Sequence, residues 1–456
     1  MRIYFLSILA LILSMNLFAQ HEHHNMPMKE KKDTIPVDHD IHDMKGMEGM
    51  DMKDMNGMEN MSHAYSRNLP MNRNGSGTSW LPDESPMYMY MTGKKTMWMF
   101  HGNIFLRYTN VDIFNKGTRG ASNFDAPNWF MVMMNKPVGK RGLFSANAMF
   151  SLDPLTEGKN GYPLLFQSGE TYKGLPLVDR QHPHDLFAEL SVAYTYAFNK
   201  NTDVFVYVGY PGEPAISAPT FMHRISAMNN PDAPLGHHWQ DATHITFGTA
   251  TIGFRYKQFK LEGSSFTGRE PDEDRYDFDK ARFDSYAYRV SYNPSKNWAL
   301  QFSQAFIKQP ELLEPGVDVT RSTASVLFSK KITADKQHDA ALIWGYNDKG
   351  KDHQEHSVLA EDNYRFGKNA IYGRYEFVQK STEELALQSQ LGDATYNVHA
   401  LTAGYNRGIW KNKIIELAIG AQVSGYVPAK DLRAIYGDLP VSAQIYLQLR
   451  PAIHKM

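Results

Sequence analysis

Leu186 to Phe198 alternates without interruption, and no other feature constrains the fold so tightly. Leu186, Ala188, Leu190, Val192, Tyr194, Tyr196 and Phe198 share one face. Phe187, Glu189, Ser191, Ala193, Thr195 and Ala197 share the other. A period of two predicts a strand with one apolar face and one mostly small or polar face. Soluble sheets use strands of about 5–6 residues. A tilted strand that crosses a bilayer needs roughly 9–11. This stretch is long enough to cross.

The same pattern recurs along the chain. It predicts strands over 97–109, 127–136, 142–152, 185–198, 203–211, 244–256, 258–267, 283–293, 297–308, 321–332, 338–347, 356–366, 369–379, 395–407, 412–424 and 441–450. Val441, Ala443, Ile445, Leu447 and Leu449, for example, alternate with Ser442, Gln444, Tyr446, Gln448 and Arg450. Several polar faces carry charge, at Glu189, Arg289, Arg374, Glu376, Glu416 and Arg450. Charge on one face and aliphatics on the other suit a wet lumen and a lipid wall. The connections alternate as well. Short turns such as Gly139-Lys140-Arg141 and Pro294-Ser295-Lys296 are followed by long segments at 153–184, 212–243, 268–282, 309–320, 380–394 and 425–440. Short inner turns and long outer loops are the pattern of outer-membrane barrels. The expected fold is therefore all-β: a transmembrane up-and-down antiparallel β-barrel of about 16 strands (about 14–18), preceded by a disordered N-terminal segment.

Composition agrees. Aromatics make up 12% of the 456 residues, as aromatic girdles would require. A formal net charge of -1 gives no basic footprint for nucleic acid. The absence of cysteine excludes disulfides, thiolate metal sites and a cysteine nucleophile. Met1-Arg2, the apolar run Ile3 to Leu17 and the small residue Ala19 predict a secretory signal peptide over 1–19. The expected organisation is that leader, a Met/His-rich metal-binding segment over 20–75, a transition over 76–96 and the barrel over 97–456. The expected location is the outer membrane of a Gram-negative bacterium.

Residues 20–75 hold few large aliphatics, so they are expected to be disordered. They are rich in His21, His23, His24, Met26 and Met28, then His39, His42, Met44, Met47, Met50 and Met52, then Met55, Met58, Met61 and His63. A solvated tail has no use for thioethers. Thioether and imidazole together favour Cu(I), and imidazole alone also takes Cu(II) or Zn. Met87, Met89 and Met91 alternate with tyrosines in the transition segment, which fits either a further Met ladder or apolar packing.

A second cluster sits in two successive long loops on one predicted side. His182, His184 and Asp185 close the first; Met222, His223, His237, His238, Asp241 and His244 belong to the second. Imidazoles with a nearby carboxylate could build a metal site, with Asp185 or Asp241 as ligand or as orienter of a ligand. A purely structural polar network is the alternative. His101, His338, His353, His356 and His399 are scattered. No Gly-rich phosphate loop, His-Glu-x-x-His or Gly-x-Ser-x-Gly motif is present, and no catalytic residue is assigned.

A leader, a segment such as His42-Asp43-Met44-Lys45-Gly46-Met47 with Met50-Asp51-Met52, and then a barrel together resemble the bacterial copper-resistance outer-membrane proteins of the CopB type. The motif covers about 40 residues. The stretches 180–186 and 221–244 also look like those of uncharacterised outer-membrane proteins. The resemblance implies a role in copper tolerance, with a copper ion, expected as Cu(I), bound at the envelope, sequestered or exported. The loop cluster at 182–244 and the non-aromatic end Pro451 to Met456 depart from that pattern. Outer-membrane lipid and metal ions are the expected partners; a periplasmic metal-handling protein stays open as another. Three rivals remain. One is a general or solute-specific outer-membrane channel with an incidental tail. Another is a barrel enzyme with a histidine metal site, although no chemical step is assigned. The third is a structural or adhesion protein, with no metal affinity in either region.

Overall fold

The computed structural model describes residues 64–350 and 353–454. The leader and the candidate ligands from His21 to His63 lie outside the described residues.

Sixteen strands close the barrel. They are β1 (Met97–Val111), β2 (Asn128–Val138), β3 (Gly142–Phe150), β4 (Phe187–Asn199), β5 (Thr202–Gly209), β6 (Thr249–Tyr256), β7 (Phe259–Phe266) and β8 (Ser285–Ser295). There follow β9 (Trp298–Ile307), β10 (Val319–Lys331), β11 (Lys336–Asp348), β12 (Gln354–Phe366), β13 (Asn369–Ser381), β14 (Thr395–Lys411), β15 (Ile415–Pro428) and β16 (Val441–Pro451). Each pairs antiparallel with the next, and β16 returns to β1 through Ile104↔Leu449 to Asn110↔Ala443. Two short strands, Tyr90–Thr92 and Ala121–Asp125, add to the flanks of β1. All sixteen predicted strands are present, within a few residues of their expected ends.

The alternation sets which face meets lipid. On β4, Val192, Tyr194 and Phe198 are exposed, while Glu189, Ser191 and Thr195 are buried. Val206, Ile252 and Leu261 continue the outward apolar band on β5 to β7. The inner wall carries buried ion pairs, including Arg289 with Glu262 at 3.0 Å and Arg374 with Glu361 at 3.0 Å.

Two segments fold into the lumen. Residues 64–92 run along the inner wall: Thr195 donates to the Tyr65 carbonyl at 2.9 Å, and Asn293 donates to that of Leu81 at 2.9 Å. The expectation of disorder as far as residue 75 fails over 64–75. There, buried side chains such as Tyr65, Leu69 and Arg73 provide the apolar and charged anchors that the Met/Asp/Gly run lacks. The second segment is the connection 210–248, almost wholly buried. Its backbone reaches β7 through Ala215 N–H to Ser264 at 2.8 Å and β9 through Ser217 N–H to Ser303 at 2.8 Å. Asp232 accepts from Gln422 of β15 and Gln444 of β16. Wall polar groups thus replace water for a buried loop backbone.

Residues 153–184, expected as a long connection, contain a hairpin of Tyr162–Tyr172 and Leu175–Gln181. Its continuous apolar run Leu164 to Phe166 carries no period-two signature. It packs on Leu235 and Trp239 of the plug segment and on Val378, Leu385 and Leu387 of the rim.

Candidate metal centre

The hairpin connection 153–184 and the infolded connection 210–248 bring five of the predicted imidazoles together. His182 and His184 follow the hairpin strand that ends at Gln181; His237 and His238 open the helical turn His237–Gln240; His244 ends the turn after it. Ring centres are 6.0 Å apart for His182–His237, 5.2 Å for His237–His244, 5.5 Å for His244–His184 and 6.3 Å for His184–His182. These four form a closed quartet. His238 stands beside it, 5.6 Å from His182 and 5.3 Å from His237.

Each quartet ring is fixed through Nδ1. His184 Nδ1 lies 2.7 Å from Asp153 Oδ2, and His237 Nδ1 lies 2.5 Å from Asp241 Oδ1. His244 Nδ1 donates to the Asp241 carbonyl at 2.8 Å, and His182 Nδ1 bonds the Pro183 carbonyl at 3.3 Å and lies 3.1 Å from Glu170 Oε1. A carboxylate or carbonyl can only accept, so Nδ1 carries the proton and Nε2 the lone pair. All four Nε2 atoms are buried without a hydrogen-bond partner. An imidazole oriented through one nitrogen with the other left bare is the arrangement of a metal-ligating histidine. Burial, reinforced for His182 by Arg275 and for His244 by His237, holds both rings well below the usual imidazole range, so they stay neutral and able to ligate.

The anchors are themselves held. Asp241 accepts from Arg224 at 2.7 Å and from the Phe221 N–H at 3.0 Å; Arg224 also donates to Glu361 of β12. Asp153 accepts from the Asn128 N–H at 2.8 Å, and Glu170 pairs with Arg275.

His238 belongs to a different setting. It, Glu270 and Glu311 already bring one ligand atom each within 4.8 Å of the others. Burial would lower the His238 ring, but Glu270 and Glu311 together push it above its usual value. The quartet is wider, and its rings have to close on an ion. Next to this trio opens a cavity of about 160 Å³ lined by Glu170, Glu311, Glu314, Glu383, Glu384 and Lys349. Its acidity favours cations.

The remaining predicted residues fall elsewhere. Asp185 faces Arg275 at 3.6 Å and touches none of the bare ring nitrogens given above. His223 packs against Trp129 with ring centres 4.7 Å apart and planes tilted by 43°, and it and Met222 line a methionine-walled cavity with His101. Asp185 and His223 therefore stand apart from the quartet, whereas Met222 also lines a second cavity that His184 shares: adjacent chain positions leave the loop in different directions. Of the proposed orienters, Asp241 takes that role. Asp153 and Glu170 were missed, because acidic residues remote in sequence carry no local signal.

A scan against protein-family models matches none. A comparison with curated proteins finds no match. Among solved structures, the chain is similar to a loop-deletion variant of OmpT from Vibrio cholerae (10% identity, 78% of this chain and 99% of that one, TM-score 0.45). It is also similar to an anion-selective porin from Comamonas acidovorans (10%, 78% and 99%, TM-score 0.44) and to OmpF of Salmonella typhi (9%, 79% and 100%, TM-score 0.49). No role passes to this chain at such identities. With its closed antiparallel sheet, lipid-facing apolar band and long loops at one rim, the chain is an outer-membrane barrel protein.

Proposed function

We propose that the chain is a solute-specific outer-membrane barrel whose solute is a soft or borderline transition-metal ion, copper foremost. One observation carries this reading: four buried imidazoles with ring centres 5.2–6.3 Å apart around the quartet, each held through Nδ1, keep bare Nε2 atoms. A structural network would spend both ring nitrogens on hydrogen bonds, since a buried unpaired acceptor costs about 1–3 kcal/mol. The acidic cavity supports entry of cations, and the Met/His composition of the N-terminal segment supports capture of a soft ion. The chain's own residues hold the ion, orient its ligands and exclude anions; no covalent step follows.

The test is metal titration of the purified full-length protein, followed by Zn(II) and Cu(II) calorimetry and X-ray absorption. Imidazole scatterers that disappear in His184→Ala/His237→Ala support the reading; unchanged binding in that variant sinks it. A second reading, a channel for some other small solute, is favoured by the sixteen-strand barrel and its charged inner wall. It predicts uptake of sugars or amino acids into proteoliposomes that is indifferent to these substitutions.

A further inference from the structure

We infer that a second site, walled by thioethers and suited to a soft monovalent ion, lies on the short-turn side of the imidazole quartet. The period of two puts Met97 and Met99 of β1, Met131 and Met133 of β2 and Met149 of β3 on the inner face. Register aligns them in rows. Met91 pairs with Met99 and Met99 with Met133; His101 pairs with Met131 and Met131 with Met149. Cross-strand neighbours of this kind have Cβ atoms about 4.5–5.5 Å apart. The infolded segments face this wall with methionines of their own, among them Met71, Met87 and Met222.

Apolar packing is the ordinary explanation for buried methionine. Two observations go beyond it. Nine of the thirteen fully buried members of this cluster are Met, in a lumen whose wall is otherwise largely polar. Five of these methionines (Met71, Met87, Met89, Met131 and Met133), with Met222 and Met228, line a cavity of about 60 Å³ that also has His101 and His223 on its lining and no Asp, Glu, Lys or Arg. A hard divalent ion would want oxygen ligands there, whereas thioether and imidazole suit Cu(I) or Ag(I). The chamber is not isolated. A cavity of about 40 Å³ lined by His184 shares Trp129, Met222 and Met228 with it. The ligands thus grade from carboxylate at the outer rim, through imidazole, to thioether. As a route this rests on the metal-handling reading; the chamber's affinity for a soft ion does not.

The experiment is Ag⁺ titration of the full-length protein carrying ¹³C-methyl methionine, with resonances assigned by Met131→Leu, Met133→Leu and Met222→Leu. Leu for Met keeps volume, and Met222 lies off the barrel wall, so at least one variant leaves the wall intact. Saturable shifts of the Met131, Met133 and Met222 methyls, with Zn(II) leaving them in place, are expected. Loss of the Met133 shift in Met222→Leu would further support a shared ion. Shifts confined to N-terminal methionines such as Met44 and Met52 overturn the inference. Methyl shifts in a protein whose imidazoles bind no Zn(II) or Cu(II) would keep the chamber and remove the quartet. Imidazole binding with static chamber methyls would do the reverse.

Discussion

His237 and Asp241 stand one helical turn apart, with Nδ1 and Oδ1 separated by 2.5 Å, while the other oxygen of the same carboxylate accepts from Arg224 at 2.7 Å. One side chain thus orients a candidate ligand and pins the plug, because Arg224 continues to Glu361 on β12. Arg224→Met leaves two buried carboxylates without their shared cation, and breaking such a pair costs about 3–5 kcal/mol. Hydrogen exchange should accelerate across 221–244, and single-channel conductance in planar bilayers should rise. Unchanged exchange there would mean that the plug is held by other contacts.

Asp153 offers a cleaner separation of orientation from fold. Asp153→Asn keeps the shape and can still accept the Asn128 N–H, but it weakens the partner of His184 Nδ1. Loss of such an orienting group typically lowers metal affinity about 10–100-fold. Zn(II) calorimetry should read that loss with the melting temperature nearly constant. Full affinity in the variant would remove His184 from the ligand set.

Acid should weaken the hold of His182 and His244 on the metal-free plug. His182 and His244 lie well below their unfolded value of about 6.5 because of burial, so the unfolded state binds more protons as pH falls. Their contribution is complete above about pH 6.5 and is lost as pH drops toward the folded values. Glu170 and Arg275 face His182, and Asp241 and His184 face His244. His238, raised by Glu270 and Glu311, acts with opposite sign, as do Glu170 and Asp185, both pushed up to about 7 by burial. From pH 7.5 to 5, proteolysis of the plug should therefore accelerate more steeply in His238→Gln than in the parent protein and less steeply in His182→Gln/His244→Gln. A flat profile in all three would rule out neutral buried imidazoles.

The lipid-facing band is tested at Ile252, which is 61% exposed and lies opposite Val206 on β5. Ile252→Arg at mid-membrane depth should cost about 2–4 kcal/mol. Urea unfolding in lipid vesicles measures this. No loss of stability would place Ile252 outside the hydrocarbon.

Strands, faces and rim were legible in the sequence because period-two alternation is a local property: Leu190, Val192 and Tyr194 declare their side without knowing their neighbours. The proximity of His182–His184 to His237–His244 was legible in outline, since both groups lie on consecutive long connections. What the chain order could not reveal is how those connections fold. Only contacts such as Arg224–Glu361, 137 positions apart, turn the second one into the lumen. The same folding separates His223 from His237 and recruits Asp153 and Glu170 as anchors. The methionines of 71–99 meet those of 131–149 and Met222 by that route too. Period two marked the strand methionines among these as one face. That the face encloses a chamber depends on burial contributed by segments distant in sequence, which only the tertiary structure supplies.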